Sequence, residues 1–159
     1  MSGCPRNCVV IEWSGASFSF EYSRRPGILM SRDVLVIEDD SRSSRLLELI
    51  LGSQAYGVTV ATNGDEGLAL MRARRFDLLV LDLMLPGMDG FEILRQIRAD
   101  PQLADVPVVV SSARAQATSR HQAAELGAAA YLTKPYRKAD LLEIVASLID
   151  DQSDRKSVV

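Results

Sequence analysis

The chain has 159 residues, 47% of them hydrophobic, and a formal net charge of -3 at pH 7; this is enough for one well-filled core and too little for two ordinary domains. The charge leaves none of the basic footprint that phosphate backbones require, so direct nucleic-acid binding is not expected. The two cysteines, Cys4 and Cys8, both lie in the first ten residues, which excludes a disulfide framework or a Cys/His zinc cluster as the frame of the domain and fits a reducing, cytoplasmic setting.

Residues 1–31 mix Ser, Gly, Pro and scattered aromatics with no sustained period of 2 or 3.6. They are expected to be an extension, disordered or the product of a misassigned start, because Met30-Ser31-Arg32-Asp33 would open an ordinary domain. A docking arm built on Trp13, Phe18, Phe20 and Tyr22 is the functional alternative. Cys4 and Cys8 without further ligands make a poor zinc site. The run Val9-Val10-Ile11 is stopped by Glu12, far too short for a membrane span, and Arg24-Arg25 is followed by Arg32 and Asp33 rather than an apolar export segment.

From Asp33 onward strand and helix patterns alternate. Strands are predicted at Val34 to Ile37, Gly57 to Ala61, Leu78 to Leu81, Val106 to Val110 and Ala129 to Leu132. Helices with apolar residues at three- and four-residue spacing are predicted at Ser43 to Gly52, Asp65 to Arg74, Phe91 to Ala99, Thr118 to Leu126 and Ala139 to Ile149. Leu46, Leu49 and Ile50 mark one helical face, and Phe91, Leu94 and Ile97 another. Residues 150–159 form a short polar tail. Alternating βα units imply right-handed crossovers and a doubly wound α/β fold, a parallel sheet covered on both faces. The tail is too short for an output domain, which needs on the order of 60 residues to bury a core of its own, so action through a separate partner is expected.

Ligands of such sheets gather beyond the carboxyl ends of the strands. There the sequence places Glu38-Asp39-Asp40 after the first strand and Asp82 after the third, followed by the breakers Pro86 and Gly87. Ser111-Ser112 follow the fourth strand and Lys134-Pro135 the fifth. Asp40 is expected to cap the first helix rather than bind a ligand. His121 and the run Arg72, Arg74, Arg75 are expected to be solvated surface.

The order and spacing of these pieces, from about Arg32 to Ile149, resemble the receiver domain of bacterial two-component response regulators. The resemblance implies a five-stranded (βα)5 flavodoxin-like fold with strand order 2-1-3-4-5, which makes the first and third strands neighbours and clusters Glu38, Asp39 and Asp82. Such a cluster is unfavourable without a cation among the acids, and all-oxygen ligation suits Mg2+, or Mn2+, rather than zinc. By the same resemblance Asp82 is the phosphoacceptor, and Asp39, Asp82 and the backbone carbonyl of Met84 bind the metal, with Glu38 acting through a water. Lys134 and the Ser112 hydroxyl meet the phosphoryl oxygens, Ser111 faces the other way, and the Lys134-Pro135 peptide is cis. Ser112 and Tyr131 form the switch that couples the pocket to the surface of the fourth helix, fifth strand and fifth helix, where Leu132, Tyr136, Arg137 and Lys138 lie.

The implied partners are a sensor histidine kinase or a histidine-phosphotransfer protein and a downstream protein target, with no nucleic acid or membrane. The chain would catalyse only its own phosphorylation and dephosphorylation. Relay of phosphate to a histidine-phosphotransfer protein is the alternative role. Ser112 stands where threonine is commoner, which keeps the hydroxyl. Ala129-Ala130 replaces an acidic pair, which argues against the charge-laced dimer of DNA-binding regulators and for a monomer or a weak phosphorylation-dependent dimer. A haloacid-dehalogenase-like phosphohydrolase would carry an acid two residues after its nucleophile, where this chain has Met84. A phosphorylation-independent pseudoreceiver would not need all of Glu38, Asp39, Asp82, Ser112 and Lys134.

Overall fold

The computed structural model describes residues 9–13, 16–20 and 32–157. Two compact units divide the chain, Met1–Met30 and Ser31–Val159. In the first, β1 (Val9–Trp13) and β2 (Ala16–Phe20) pair antiparallel, with Val9 opposite Phe20 and Trp13 opposite Ala16. The sequence shows no sustained alternation across this unit, yet both short runs carry the β-branched and aromatic residues that suit strands. Cys4, Cys8 and Tyr22 lie outside the described residues.

The second unit runs β3 (Asp33–Ile37), α1 (Ser41–Gly52), β4 (Gly57–Ala61), α2 (Gly64–Ala73), β5 (Leu78–Leu81), α3 (Gly90–Ala99), β6 (Val108–Ser112), α4 (Ala117–Glu125), β7 (Ala130–Thr133) and α5 (Lys138–Ser157). All strand pairs in its sheet are parallel, in the order β4-β3-β5-β6-β7. This is the predicted 2-1-3-4-5 order, with the two strands of the first unit counted ahead of it.

The strands read as mostly apolar runs because successive side chains feed opposite layers. Leu35, Ile37, Leu79, Leu81, Val108 and Val110 pack with Leu68, Met71, Phe91, Leu94 and Ile97 from α2 and α3. Val34, Val36, Leu78, Val80 and Val109 pack with Leu47, Ile50, Leu51, Leu141, Val145 and Ile149 from α1 and α5. Each fully buried side chain of this size contributes about 1.5–3 kcal/mol of transfer free energy, and both layers press on the same five strands.

Three local predictions need correction. The buried face of α1 is Leu47, Ile50 and Leu51, while Leu46 and Leu49 are 57% and 58% exposed. Five apolar residues between 46 and 51 offer two stripes of helical spacing, and periodicity alone does not choose between them. β6 begins at Val108, two residues later than predicted: Pro107 has no N–H to give a ladder, and the Val106 amide is turned to the Leu103 carbonyl. α5 continues through the predicted polar tail to Ser157, since no Gly or Pro interrupts Lys138 to Ser157, and Gln152 Nε2 donates to the Asp105 carbonyl at 3.3 Å. No described helix is long and apolar enough to cross a membrane.

Side-chain caps set the helix starts above the sheet. Asp40 accepts from the Ser43 amide, as expected of it, and Asn63 and Asp89 cap α2 and α3 in the same way. At Gly90 the first turn of α3 comes so close to the preceding loop that a Cβ would lie 2.5 Å from Leu83 Cα and 2.8 Å from the Asp82 carbonyl. Only glycine fits, and the contact clamps the backbone just after Asp82.

Candidate functional site

Parallel pairing brings four strand ends to one rim. The Asp82 amide donates to the Ile37 carbonyl at 3.1 Å, which sets the end of β5 beside the end of β3, and the Lys134 amide donates to the Ser112 carbonyl at 2.9 Å, which joins the ends of β7 and β6. Carboxylate oxygens of Glu38, Asp39 and Asp82 lie within 4.8 Å of one another. Glu38 and Asp82 are buried at 3% and 7% exposure, and Asp39 is exposed.

Lys134 reaches across the rim: its Nζ donates to Glu38 Oε2 at 2.5 Å and to Asp82 Oδ2 at 3.3 Å. The backbone supplies the other donors, the Asp40 amide to Glu38 Oε1 at 3.1 Å and the Met84 amide to Asp82 Oδ1 at 2.9 Å. Burial pushes the Glu38 carboxyl up and the Asp82 charge adds to this, while the Lys134 ammonium and the Asp40 amide pull it down. Burial works to lower Lys134, but hydrogen bonding to Glu38 and the charges of Asp82 and Glu38 outweigh it and hold the ammonium above its ordinary value. These two directions pull against each other in one contact. The lysine's direction governs, because two carboxylates face one cation and both gain from its charge.

Three carboxylates against one ammonium leave an all-oxygen site of net negative charge, which fits a hard divalent cation. The fit is one of donor chemistry: Glu38, Asp39 and Asp82 present oxygens and no nitrogen or sulfur. The Met84 side chain is 53% exposed and turned to solvent. Asp39, Leu83, Met84, Leu85, Pro86, Asp89 and Arg114 line an open cleft of about 430 Å³ at this rim. A larger hollow of about 570 Å³, lined by Arg98, Asp105, Pro107 and Gly127 among others, lies at the opposite ends of the strands, far from the acids.

The switch candidates are linked through one loop. Ser112 is fully buried, and its Oγ accepts from the Arg114 amide at 3.2 Å. The Tyr131 hydroxyl donates to the Arg114 carbonyl at 2.7 Å. Burial pushes the Tyr131 phenol up, with the Ser112 hydroxyl and the Arg114 and Arg120 charges acting against it. Ser111 points to the other layer, where its hydroxyl bonds Tyr136 Oη at 3.3 Å. The Lys134-Pro135 peptide is cis. His121 is exposed and lies 3.2 Å from the exposed Glu125 carboxylate.

Sequence reasoning missed Arg120. Its Nη2 donates to Thr133 Oγ1 at 2.8 Å and its guanidinium lies 5.8 Å from the Tyr131 ring centroid. Nothing in the sequence distinguishes it from a solvated helical arginine, since the contact depends on where α4 lies over β7.

Comparison with known proteins agrees with this geometry. The family model described as response regulator receiver domain matches residues 34–146. The transcriptional regulatory protein ResD of Bacillus subtilis is 35% identical over 116 residues, 73% of this chain and 47% of its own length. A CheY-like response regulator receiver domain protein from Methanospirillum hungatei superposes with a TM-score of 0.74 at 27% identity, covering 79% of this chain and 99% of that one. The receiver domain of the sensor histidine kinase PA1611 from Pseudomonas aeruginosa has a TM-score of 0.71 at 29% identity, covering 76% of this chain and 99% of that one, and its structure holds a magnesium ion coordinated in the active-site cleft. The chain spans about half the length of the first curated relatives it matches.

Proposed function

The chain belongs to the response regulator receiver family, and from that premise we propose that Asp82 accepts a phosphoryl group from a phosphohistidine and thereby changes the surface formed by α4, β7 and α5. One observation carries this reading: a buried aspartate at a strand end, with a lysine Nζ 3.3 Å from its Oδ2 and two further carboxylates beside it.

In the proposed step an Asp82 oxygen attacks phosphorus in line, the P–O bond forms as the P–N bond to the donor imidazole breaks, and the imidazole, already protonated at its other ring nitrogen, leaves as the neutral base. The developing charge on the phosphoryl oxygens is met by the Lys134 ammonium and by the Ser112 hydroxyl once it turns toward them. Asp39, Asp82 and the Met84 carbonyl would hold Mg2+, with Glu38 acting through a water, and the ion would neutralise the acids and the incoming phosphoryl group. Met84 and Arg114 flank the path of a hydrolysing water, and neither is an acid or amide able to orient it, so the acyl phosphate is long-lived.

The donor is a sensor histidine kinase or a histidine-phosphotransfer protein, in the cytoplasm, and the output is a protein partner docked on α4, β7 and α5. Acetyl phosphate with Mg2+ labels the wild-type chain once per molecule, and Asp82→Asn abolishes the label. Unchanged labelling of Asp82→Asn overturns the site assignment. Repeated turnover of generic phosphate esters would instead mark a phosphohydrolase.

A further inference from the structure

Five methionines occur in the chain, and Met71, Met84 and Met88 lie among the described residues. A thioether is soft and adaptable, so methionines ordinarily fill gaps in cores. Met71 does so at 5% exposure, and Met88 packs against the same layer with its sulfur beside Gly64 and the Gln96 amide. Met84 differs: among the described residues it is the one exposed methionine, at 53%. Exposure decides which thioether meets a water-borne oxidant.

The place of Met84 gives this exposure a consequence. It stands two residues after Asp82, and its amide donates to Asp82 Oδ1 at 2.9 Å, which fixes residue 84 beside the carboxylate. With Asp39, Asp89 and Arg114 it lines the open cleft at the rim. The polar neighbours in that cleft are engaged elsewhere. Asp39 belongs to the acid cluster, Asp89 Oδ1 accepts from the Phe91 amide at 3.2 Å, and the Arg114 guanidinium, which can only donate, lies 5.9 Å from the Phe91 ring centroid. Leu83, Leu85 and Pro86 complete the lining and are apolar. Met84 is thus the side chain of this cleft that oxidation turns from apolar to polar.

We propose that Met84 is a reversible oxidation site through which a peroxide shortens the life of the acyl phosphate on Asp82. The thioether sulfur attacks one oxygen of hydrogen peroxide; the S–O bond forms as the O–O bond breaks, and the proton of the transferred oxygen passes to the departing hydroxide, which leaves as water. Sulfur loses two electrons and the peroxide gains them. The sulfoxide oxygen is a strong hydrogen-bond acceptor where the thioether offers only a weak one. It holds a water that enters the cleft and turns its oxygen toward phosphorus. That oxygen bonds to phosphorus as the P–O bond to Asp82 breaks, and the water's protons go to the released phosphate, since a sulfoxide is too weak a base to take one. A thiol-dependent methionine sulfoxide reductase returns the thioether. This rests on the reading of Asp82 as phosphoacceptor and adds redox regulation of that site.

Hydrogen peroxide applied to the full chain, followed by peptide mass spectrometry, reads the modification independently of phosphate. Met84 is expected to gain one oxygen at least about ten-fold faster than Met71, with fragmentation separating it from Met88. On protein labelled by acetyl phosphate and freed of donor, oxidation is expected to shorten the half-life of the label by about two- to ten-fold, the effect of one hydrogen bond on a barrier. Reductase treatment should restore it. Met84→Gln supplies an amide oxygen without oxidant and is expected to shorten the half-life by a similar factor. Met84→Leu retains Cys4 and Cys8 and is expected to abolish the response to peroxide. A response that survives in Met84→Leu, oxidation of Met71 as fast as that of Met84, or a half-life unmoved by complete oxidation of Met84 or by Met84→Gln overturns the inference. Absent labelling removes the site reading and this inference with it, whereas intact labelling with an unresponsive half-life removes the inference alone.

Discussion

The substitution Lys134→Met probes the electrostatic design of the rim without opening a cavity, since methionine keeps most of the lysine stem. Lys134 Nζ lies 2.5 Å from Glu38 Oε2 and 3.3 Å from Asp82 Oδ2, and the two carboxylates are only 3% and 8% exposed at the side chain. Removing one partner of a buried ion pair typically costs about 3–5 kcal/mol, because a charge is left without compensation. The lysine side chain is itself 23% exposed, so water can reach part of the vacated space; allowing for that screening, the loss expected without metal is about 2–3 kcal/mol. For a chain of this size that lowers the melting temperature by roughly 4–12 °C. Chemical denaturation of Lys134→Met, Glu38→Gln and the double variant forms the cycle. The double variant should recover more than about 1 kcal/mol of the lysine loss, because the buried charge that suffered most is gone. Saturating Mg2+ should also narrow the deficit, since an ion among the acids takes over part of the lysine's task. A loss below about 0.5 kcal/mol, or strict additivity in the cycle, would refute the view that Lys134 compensates these acids.

Mg2+ alone should stabilise the wild-type chain by about 1–3 kcal/mol at saturation, because it binds the folded acid cluster and not the unfolded chain; a melting temperature indifferent to millimolar Mg2+ contradicts the cluster, and Asp82→Asn should weaken the effect. The phosphorylated protein, isolated and freed of donor, should lose its label slowly, and a half-life of seconds would show that Met84 and Arg114 leave the water path open. Tyr131 and Tyr56 are both raised by burial, so the folded state keeps its phenol protons above the ordinary value of 10.0 while the unfolded state loses them. Their contribution is thus complete below that pH and is lost as pH rises through the folded values. Absorbance at the phenolate band should show a late-titrating component that Tyr131→Phe reduces; a titration unchanged by that substitution would count against the half-buried position of Tyr131.

Site residues were legible where one residue type at a strand end carries the chemistry. Glu38, Asp39, Asp82 and Lys134 each stand within two residues of a strand end, so naming the strands also placed them on the rim, while the choice of Ser112 over Ser111 came from the family resemblance. The fold was legible for the same reason, since β3, β5 and β6 are mostly apolar and α1, α2 and α3 start at Asp or Asn caps. The failures fall where local pattern is degenerate. Leu46, Leu47, Leu49, Ile50 and Leu51 satisfy helical spacing in two ways, and only the packing of α1 on the sheet and beside α5 decides which stripe is buried. The polar residues after Ile149 have no apolar period, yet they continue the helix because nothing stops it.

Arg98 and Arg120 were illegible for a different reason. Both act through backbone carbonyls or a single hydroxyl brought to them by the tertiary fold, and a cation without an acidic partner nearby in sequence looks like solvated surface. Their positions nonetheless bear on what the domain can do. Arg98 joins the exit of α4 at the Gly127 carbonyl to the Ala104 and Val106 carbonyls ahead of β6, and Arg120 ties the entrance of α4 to the Thr133 hydroxyl and the Tyr131 ring, so two arginines link this helix to the sheet edge.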